Sequence, residues 1–269
     1  MTTPGRQTTQ LDAVPDRVAL VTGAGGGIGR RIVDDLLRRG WAVLATDVVA
    51  PADYGDTPDR VRYMQADVTD HASMVAAAQA AEELGSLRGC IANAGVVTED
   101  FASFLQTSPA LWKPTIDINV LGTLNTFHAA APIIKAHGGG RMAATASVAG
   151  VRAESDIIAY SASKAAVISI VRSLALELGT ANVSLNAVAP GPVSGDSQDH
   201  TLDERAQAEE RAGGYAYSTR YERFRDDNRP FARMVTPEEV ARVFGWLLSD
   251  EAAYITGQVV VLDGGGVLV

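Results

Sequence analysis

Residues 17–29, RVALVTGAGGGIG, decide the fold. Arg17 to Thr22 is a short apolar run that reads as a buried strand, and it passes directly into TGAGGGIG, Thr22 to Gly29, with glycines at 23, 27 and 29. Glycine lets the backbone turn with positive φ and approach a ligand closely. The helix expected from about Gly27 points its unsatisfied N–H groups at whatever sits in that turn. Strand, glycine turn and helix N-terminus in this order make a cradle for a pyrophosphate. The spacing is G-x-x-x-G-x-G, not G-x-G-x-x-G, and no lysine follows, as a nucleoside-triphosphate loop requires.

Outward from this unit, short apolar runs alternate with helix-patterned ones. The reading gives helix 27–39, strand 41–46, strand 61–66, helix 71–84 and strand 88–92, then a long helix over about 108–136 before strand 141–146. Helix 158–178 ends at Gly179, a C-cap position, and strand 183–189 stops at Pro190-Gly191. Thr236-Pro237-Glu238-Glu239 is a capping box with proline at the first helical position, opening a helix to about Leu248. A last strand, 258–262, precedes Asp263-Gly264-Gly265. The alternation predicts an α/β fold, a doubly wound parallel sheet of about seven strands with helices on both faces.

With 269 residues, 46% hydrophobic and 20% charged, the chain builds one large core, which makes 17–269 a single domain behind a flexible polar tail, 1–16. Between Gly191 and Thr236 no strand pattern appears, and charge is mixed with Tyr215, Tyr217, Tyr221, Phe224 and Phe231. A stretch of that length inside a compact domain reads as a lid, at about 194–235. The net charge of −9 argues against a nucleic-acid surface. One cysteine, Cys90, excludes an intrachain disulfide framework, and no run of eighteen apolar residues marks a membrane span, so a cytoplasmic protein is expected. None of His71, His128, His137 and His200 pairs with another or with the cysteine at ligand spacing, and no metal is expected.

The second informative stretch is AYSASKAAV, in which Tyr160 and Lys164 lie four residues apart and share one helix face. A phenol keeps its proton until about pH 10, but an adjacent cation pulls that value toward the operating range. Tyr160 is thereby expected to exchange protons with a substrate at neutral pH, with Ser147 upstream as a hydrogen-bonding companion. Strand two ends in VLATDVV, which sets Asp47 where a carboxylate meets the adenosine ribose. A carboxylate accepts from both ribose hydroxyls and repels a 2′-phosphate. Positions 24–26 and 48–50 carry no cation, and NAD(H) is therefore favoured over NADP(H).

The glycine loop and the Tyr160–Lys164 pair, with Asn93-Ala94-Gly95 and Asn119 between them, resemble the short-chain dehydrogenase/reductase family in its single-domain, Rossmann-type form, over about residues 16–265. The resemblance implies a catalytic tetrad of Asn119, Ser147, Tyr160 and Lys164. Tyr160 would be the acid–base, Ser147 would orient the substrate oxygen, Lys164 would also bind the nicotinamide ribose, and Asn119 would hold a water linking Lys164 to solvent. It implies cofactor contacts at Gly23, Gly26, Gly27, Ile28, Gly29, Asp47, Asp67, Val68, Asn93, Ala94, Gly95, Pro190, Gly191 and Val193. Asp67 would meet the adenine amino group with its side chain. Ala92 replaces the first Asn of the usual Asn-Asn-Ala-Gly, and Gly195 stands where the family has a Thr, with Ser194 and Ser197 nearby. The segment 194–235 would be a helical flap over the substrate.

The expected activity is hydride transfer between NAD and a secondary alcohol or ketone on a small, mostly hydrophobic frame. Val96–Phe104, Ala149–Ile157, Val193 and the flap aromatics would form the walls, and Arg152 is the one cation between Ser147 and Tyr160. Two alternatives stay open: a 3-oxoacyl-thioester reductase, against which Asp47 counts, and a non-catalytic NAD-binding sensor, against which the intact tetrad counts. The helices 108–136 and 158–178 are apolar around more of their circumference than a sheet-covering helix requires. They would bury a second face against other subunits, in a homotetramer by resemblance, with a homodimer as the alternative.

Overall fold

A computed structural model describes residues 17–49, 60–99, 103–155, 157–194, 230–231 and 233–267. The expected tail, 1–16, and most of the expected flap, 195–229, with its tyrosines, His200, Gly195 and Ser197, lie outside the described residues.

The elements follow the sequence reading to within a residue or two at their ends, where helices and strands fray. They are β1 (Val18–Thr22), α1 (Gly27–Arg38), β2 (Ala42–Asp47), β3 (Val61–Gln65), α2 (His71–Glu82), β4 (Leu87–Ala92), α3 (Trp112–Ile116), α4 (Gly122–Ala136), β5 (Gly140–Thr145), α5 (Ile158–Leu178), β6 (Val183–Pro190), α6 (Pro237–Leu247) and β7 (Val259–Leu262). The strands form a seven-stranded sheet in the order β3-β2-β1-β4-β5-β6-β7. Every pairing in it is parallel.

Alternation along each strand divides the apolar residues between two cores. In β1, Val18 and Leu20 enter the core shared with Met74 of α2, Phe127 of α4 and Val167 of α5. Ala19 and Val21 enter the opposite core with Ile32 and Leu36 of α1 and Phe244 of α6. Helices α1 and α6 meet closely: a Cβ on Gly245 would lie 2.0 Å from Asp35 Oδ2, and that carboxylate is paired with Arg39 at 2.6 Å. Helix α5 with its following turn, Ile158–Ala181, is long and apolar enough by length and composition to cross a membrane. It lies instead on the sheet through buried Val167, Ile168 and Val171.

Two local expectations are corrected. The helix expected over 108–136 is a composite: a 3₁₀ turn at Pro109–Leu111, α3, a π-turn over Asp117–Leu121, and α4. The i→i+5 pairing of the π-turn takes in Asn119. Gly179 does follow α5, but with right-handed φ −57°; a 3₁₀ turn continues, and the left-handed residue is Asn182 at φ 59°. The expected capping box is present at Thr236 and Glu239, with Pro237 opening α6.

Candidate active site

The chain winds from β1 out to β3 and then returns to place β4 on the other side of β1. Loops leaving β1 and β4 part in opposite directions there and open a crevice at the carboxyl ends of the strands. A cleft of about 1380 Å³ occupies this position, lined from Gly23 and Gly26–Arg31 past Asp47, Asp67, Val68 and Asn93–Val97 to Thr145, Tyr160, Lys164 and Val193. It exceeds the roughly 300–1,000 Å³ usual for one small ligand, which suits a dinucleotide together with a substrate.

At one end the site is made of backbone. A Cβ on Gly29 would lie 2.0 Å from the Gly23 carbonyl oxygen, and Gly23 itself has φ +64° with Ala94 Cα 2.7 Å from its would-be Cβ. Side chains at either position would fill the cradle. Helix α1 begins at Gly27 with no side-chain cap, which leaves its first amides directed into the cleft. Asp47, at the end of β2, turns back onto this loop: Oδ2 accepts from Gly25 N–H at 2.9 Å and Oδ1 from Val49 N–H at 3.2 Å. The residues present fit a nicotinamide dinucleotide, with the glycine turn against the pyrophosphate and Asp47 at the ribose.

Asn93 ties the strand ends together, donating to the Gly23 carbonyl at 3.1 Å and accepting from Thr145 Oγ1 at 2.9 Å. Thr22 Oγ1 accepts from the amides of Asn93 and Ala94. Asp67, expected to reach the adenine with its side chain, accepts from the amide and hydroxyl of Thr69 through Oδ1. Val193 forms a bridge with Val235 through the Pro192 carbonyl and the Ser194 amide, so its own N–H and C=O stand outside that pairing. Pro190 ends β6 and Gly191 donates to the Leu262 carbonyl; neither borders the cleft.

At the other end the site is made of buried side chains. Lys164 is 3% exposed and donates from Nζ to the Thr145 carbonyl at 2.8 Å, with Nζ 5.6 Å from the Tyr160 ring centroid. Burial pushes its ammonium down to about 8. The expectation that the lysine lowers the tyrosine is corrected: burial raises the Tyr160 phenol above its usual value, and the hydrogen bond with Ser147 is what draws it back. Desolvation of the phenolate is the larger of the two effects. Ser147, at the end of β5, also accepts from the Ala149 amide.

Asn119 is fully buried in the π-turn and clamps the chain leaving β4. Its Oδ1 accepts from Val96 N–H at 2.8 Å, and its Nδ2 donates to the Val96 carbonyl and to Ser163 Oγ, each at 2.9 Å. Both amide protons are committed, and the Asn119 carbonyl already accepts from Thr123 Oγ1 at 2.7 Å, so a water linking Lys164 to solvent would have to share an acceptor already in use. A Cβ on Gly95 would lie 3.1 Å from Lys164 Nζ and 3.3 Å from Asn119 Oδ1, which joins the Asn-Ala-Gly turn to the catalytic end.

Of the expected walls, Val96, Val97 and Val193 border the cleft, while none of the described residues in 149–157 does. The turn Val148–Gly150 is packed on α5, where a Cβ on Gly150 would lie 2.6 Å from the Lys164 carbonyl carbon. Phe104 stacks on Trp112 with ring centroids 5.6 Å apart. Arg152 is paired with Glu154 at 2.9 Å. The histidine expectation fails in one respect: His71 Nε2 and His128 Nδ1 are 2.9 Å apart, brought together by the packing of α2 on α4. Among the described residues no group of three or more His, Cys, Asp or Glu is placed to hold a metal ion.

Sequence reasoning missed several residues. Arg31, on the first turns of α1, pairs with Glu238 of α6 at 2.7 Å beside the pyrophosphate end. Lys113 and Asp117 border the cleft as an ion pair. Glu99, 2% exposed, accepts from the first amides of α5. A carboxylate aimed at a helix start far along the chain leaves no mark in local spacing.

A family model described as enoyl-(acyl carrier protein) reductase matches residues 23–266. Cis-4-hydroxycyclohexanecarboxylate dehydrogenase of Sinomonas cyclohexanicum is 34% identical over 94% of this chain and 98% of its own length. The 3-oxoacyl-(acyl-carrier-protein) reductase of Mycobacterium bovis is 33% identical over 93% of this chain and 92% of its own. The crystal structure of levodione reductase superposes with a TM-score of 0.82 at 29% identity, over 93% of this chain and 97% of that one. Glycine turn, crevice, Tyr160–Lys164 pair and relatives agree, and the chain belongs to the short-chain dehydrogenase/reductase family, an oxidoreductase of CH–OH groups that works with a nicotinamide cofactor.

Proposed function

We propose that the cofactor is NAD(H) and that the substrate is a small, mostly hydrophobic secondary alcohol or its ketone, a cyclic one foremost. One observation carries the reading: a single cleft has the Asp47 carboxylate at its ribose end and the half-buried Tyr160 with the buried Lys164 at its other end. A 2′-phosphate at the ribose would face that carboxylate, whereas two hydroxyls would donate to it. A nicotinamide held in this cleft would supply the hydride acceptor in oxidation and the donor in reduction, and in its oxidised form it would bring a positive charge to the site.

The residues of the chain then manage one proton. In oxidation Tyr160 Oη takes the hydroxyl proton of the alcohol while Ser147 Oγ donates to the same oxygen, so charge on that oxygen never builds fully. The phenol starts from a raised value, and it needs both Ser147 and positive charge nearby to serve as a base at neutral pH. Lys164, held at the Thr145 carbonyl with a pKa of about 8, is poised to pass a proton on near neutrality. Asn119 acts first as the clamp that sets Val96 against α5.

The apolar wall of Val96, Val97 and Val193 supports a hydrophobic ring as substrate, and so does the name of the cyclohexanecarboxylate relative. Arg152 is engaged by Glu154, so a carboxylate on the substrate is not required. The relative acting on 3-oxoacyl thioesters keeps that second reading in view. Initial rates with cyclohexanol and cis-4-hydroxycyclohexanecarboxylate, each with NAD and NADP, are set against reduction of acetoacetyl-CoA with NADH and NADPH. Faster alcohol oxidation with NAD supports the proposal; faster thioester reduction with NADPH overturns it.

A homotetramer in the cytoplasm completes the reading. Ala162, Ala165, Ser169, Ser173 and Leu176 form an exposed stripe of mostly small residues along α5, Leu121 of the π-turn and Leu124 of α4 are exposed as well, and the one thiol, Cys90, is buried and asks for no oxidising compartment. Light scattering of the purified chain tests the assembly.

A further inference from the structure

We propose that Glu99 is a positioning residue for Tyr160: its buried carboxylate caps the first turn of α5 and thereby sets the height and rotation at which the phenol meets the substrate oxygen. The proposal rests on the reading of Tyr160 as the acid–base. Helix α5 begins at Ile158, only two residues before the tyrosine, and it begins without a cap of its own. Its N-cap residue is Ile157, which has no side-chain acceptor, and its first turn holds no acidic residue. The first N–H groups of a helix have no partner within it. Here two of them are met from elsewhere: Glu99 Oε1 accepts from Ala159 N–H at 2.9 Å and Oε2 from Tyr160 N–H at 2.8 Å. Each oxygen takes one of two successive amides. An anion at a helix N-terminus also meets the positive end of the helix dipole.

The segment that carries Glu99 is fastened along its length. Val96 is gripped by Asn119 through both N–H and C=O. Thr98 hydrogen-bonds with Thr115 and with the Leu111 carbonyl. Residues 96–99 therefore form a strut with the π-turn at one end and the amide of Tyr160 at the other. The nearness of Tyr160 to Ser147 and the reach of Lys164 to Thr145 both depend on where the first two turns of α5 sit. Without the carboxylate, the amides of Ala159 and Tyr160 are left in a buried position, and the turn frays or shifts to find other acceptors. A shift of that size near the reacting atoms is costly for rate even when the fold survives.

The test compares Glu99→Ala, Glu99→Gln and Tyr160→Phe in cyclohexanol oxidation with NAD, alongside hydrogen–deuterium exchange of a peptide covering residues 158–163. Glu99→Ala is expected to lower kcat by about 10- to 100-fold, to leave KM for NAD near the parent value, and to speed exchange at the start of α5 while β1 and α1 stay protected. Glu99→Gln keeps one carbonyl acceptor and recovers part of the lost kcat. It carries the comparison alone if the alanine variant does not fold. The exchange measurement needs no substrate. Loss of activity only in proportion to the unfolded fraction overturns the proposal, and so does an unchanged kcat or unchanged exchange at the first turn. An inactive Tyr160→Phe beside a fully active Glu99→Ala sinks the positioning role alone, whereas an active Tyr160→Phe sinks the catalytic reading beneath it.

Discussion

The two ends of the cleft are built from opposite materials. At the glycine end the chain exposes backbone and keeps side chains away: Gly23 and Gly29 approach each other and Ala94 at distances no Cβ would permit. At the catalytic end the chain buries polar side chains, with Asn119 and Ser163 fully enclosed and Lys164 3% exposed. Binding at the first end is a matter of shape and of amide N–H groups, which cost little desolvation in the folded state because they face the cleft. Reactivity at the second end is a matter of groups held out of water, where each charge is expensive and each hydrogen bond counts for more. The difference teaches that mutation should separate the two, abolishing chemistry at one end while binding persists, and the reverse at the other.

The largest effect is expected for Tyr160→Phe, which removes one hydroxyl and no packing volume of consequence. Loss of a general acid–base group lowers kcat by about 10²- to 10⁴-fold. Because the ring stays in place beside Lys164, NADH binding measured by fluorescence should stay close to that of the parent. Weakened binding in step with activity would show that the two ends are not separable.

Gly29→Ala breaks the comparison from the other side. Its Cβ would lie 2.0 Å from the Gly23 carbonyl oxygen and 2.9 Å from Ala24 Cα, both backbone atoms that cannot swing aside. Overpacking of this kind costs about 1–3 kcal/mol, and here the strain falls on the pyrophosphate cradle. KM for NAD should rise steeply, the melting temperature should fall, and the primary isotope effect with deuterated cyclohexanol should change little once cofactor saturates. An unchanged KM would mean that the turn does not carry the cofactor.

The glycine end was legible in the sequence because its geometry excludes every residue but glycine. A strand of VALVT running into TGAGGGIG leaves few other structures open, and the capping box at Thr236 and Glu239 was legible for the same local reason. The catalytic end was legible in its residue types but not in its electrostatics. How far Tyr160 and Lys164 are withdrawn from water is decided by how α5 lies on β5 and β6, and the sign of the Tyr160 shift followed desolvation rather than the neighbouring cation. The π-turn at Asn119 spans only Asp117–Leu121, too short a stretch to show a period of its own in the sequence. Glu99 meets its partners across 60 residues, and His71 meets His128 across 57, separations at which periodicity says nothing.

The smallest effect is expected at the rim, where α6 begins beside the glycine end and a polar group is left in water. Glu239 pairs with Arg233 at 2.6 Å and accepts from the Thr236 amide at 2.9 Å, and these contacts hold its carboxyl down to about 2 against an ordinary 4.5. A carboxylate depressed in the folded state contributes stability that is fully present above about 4.5 and is lost as pH falls toward 2. The pair is open to solvent and screened by salt, which brings its worth to about 1 kcal/mol or less. Glu239→Gln keeps the acceptor for Thr236 and removes only the charge. Thermal unfolding of the two proteins should differ slightly at pH 6, less in high salt, and less again as pH falls below about 4.5. A difference as large as that of Gly29→Ala would mean that charge at this rim braces the cradle, and the contrast between a backbone end and a side-chain end would have to be redrawn to include it.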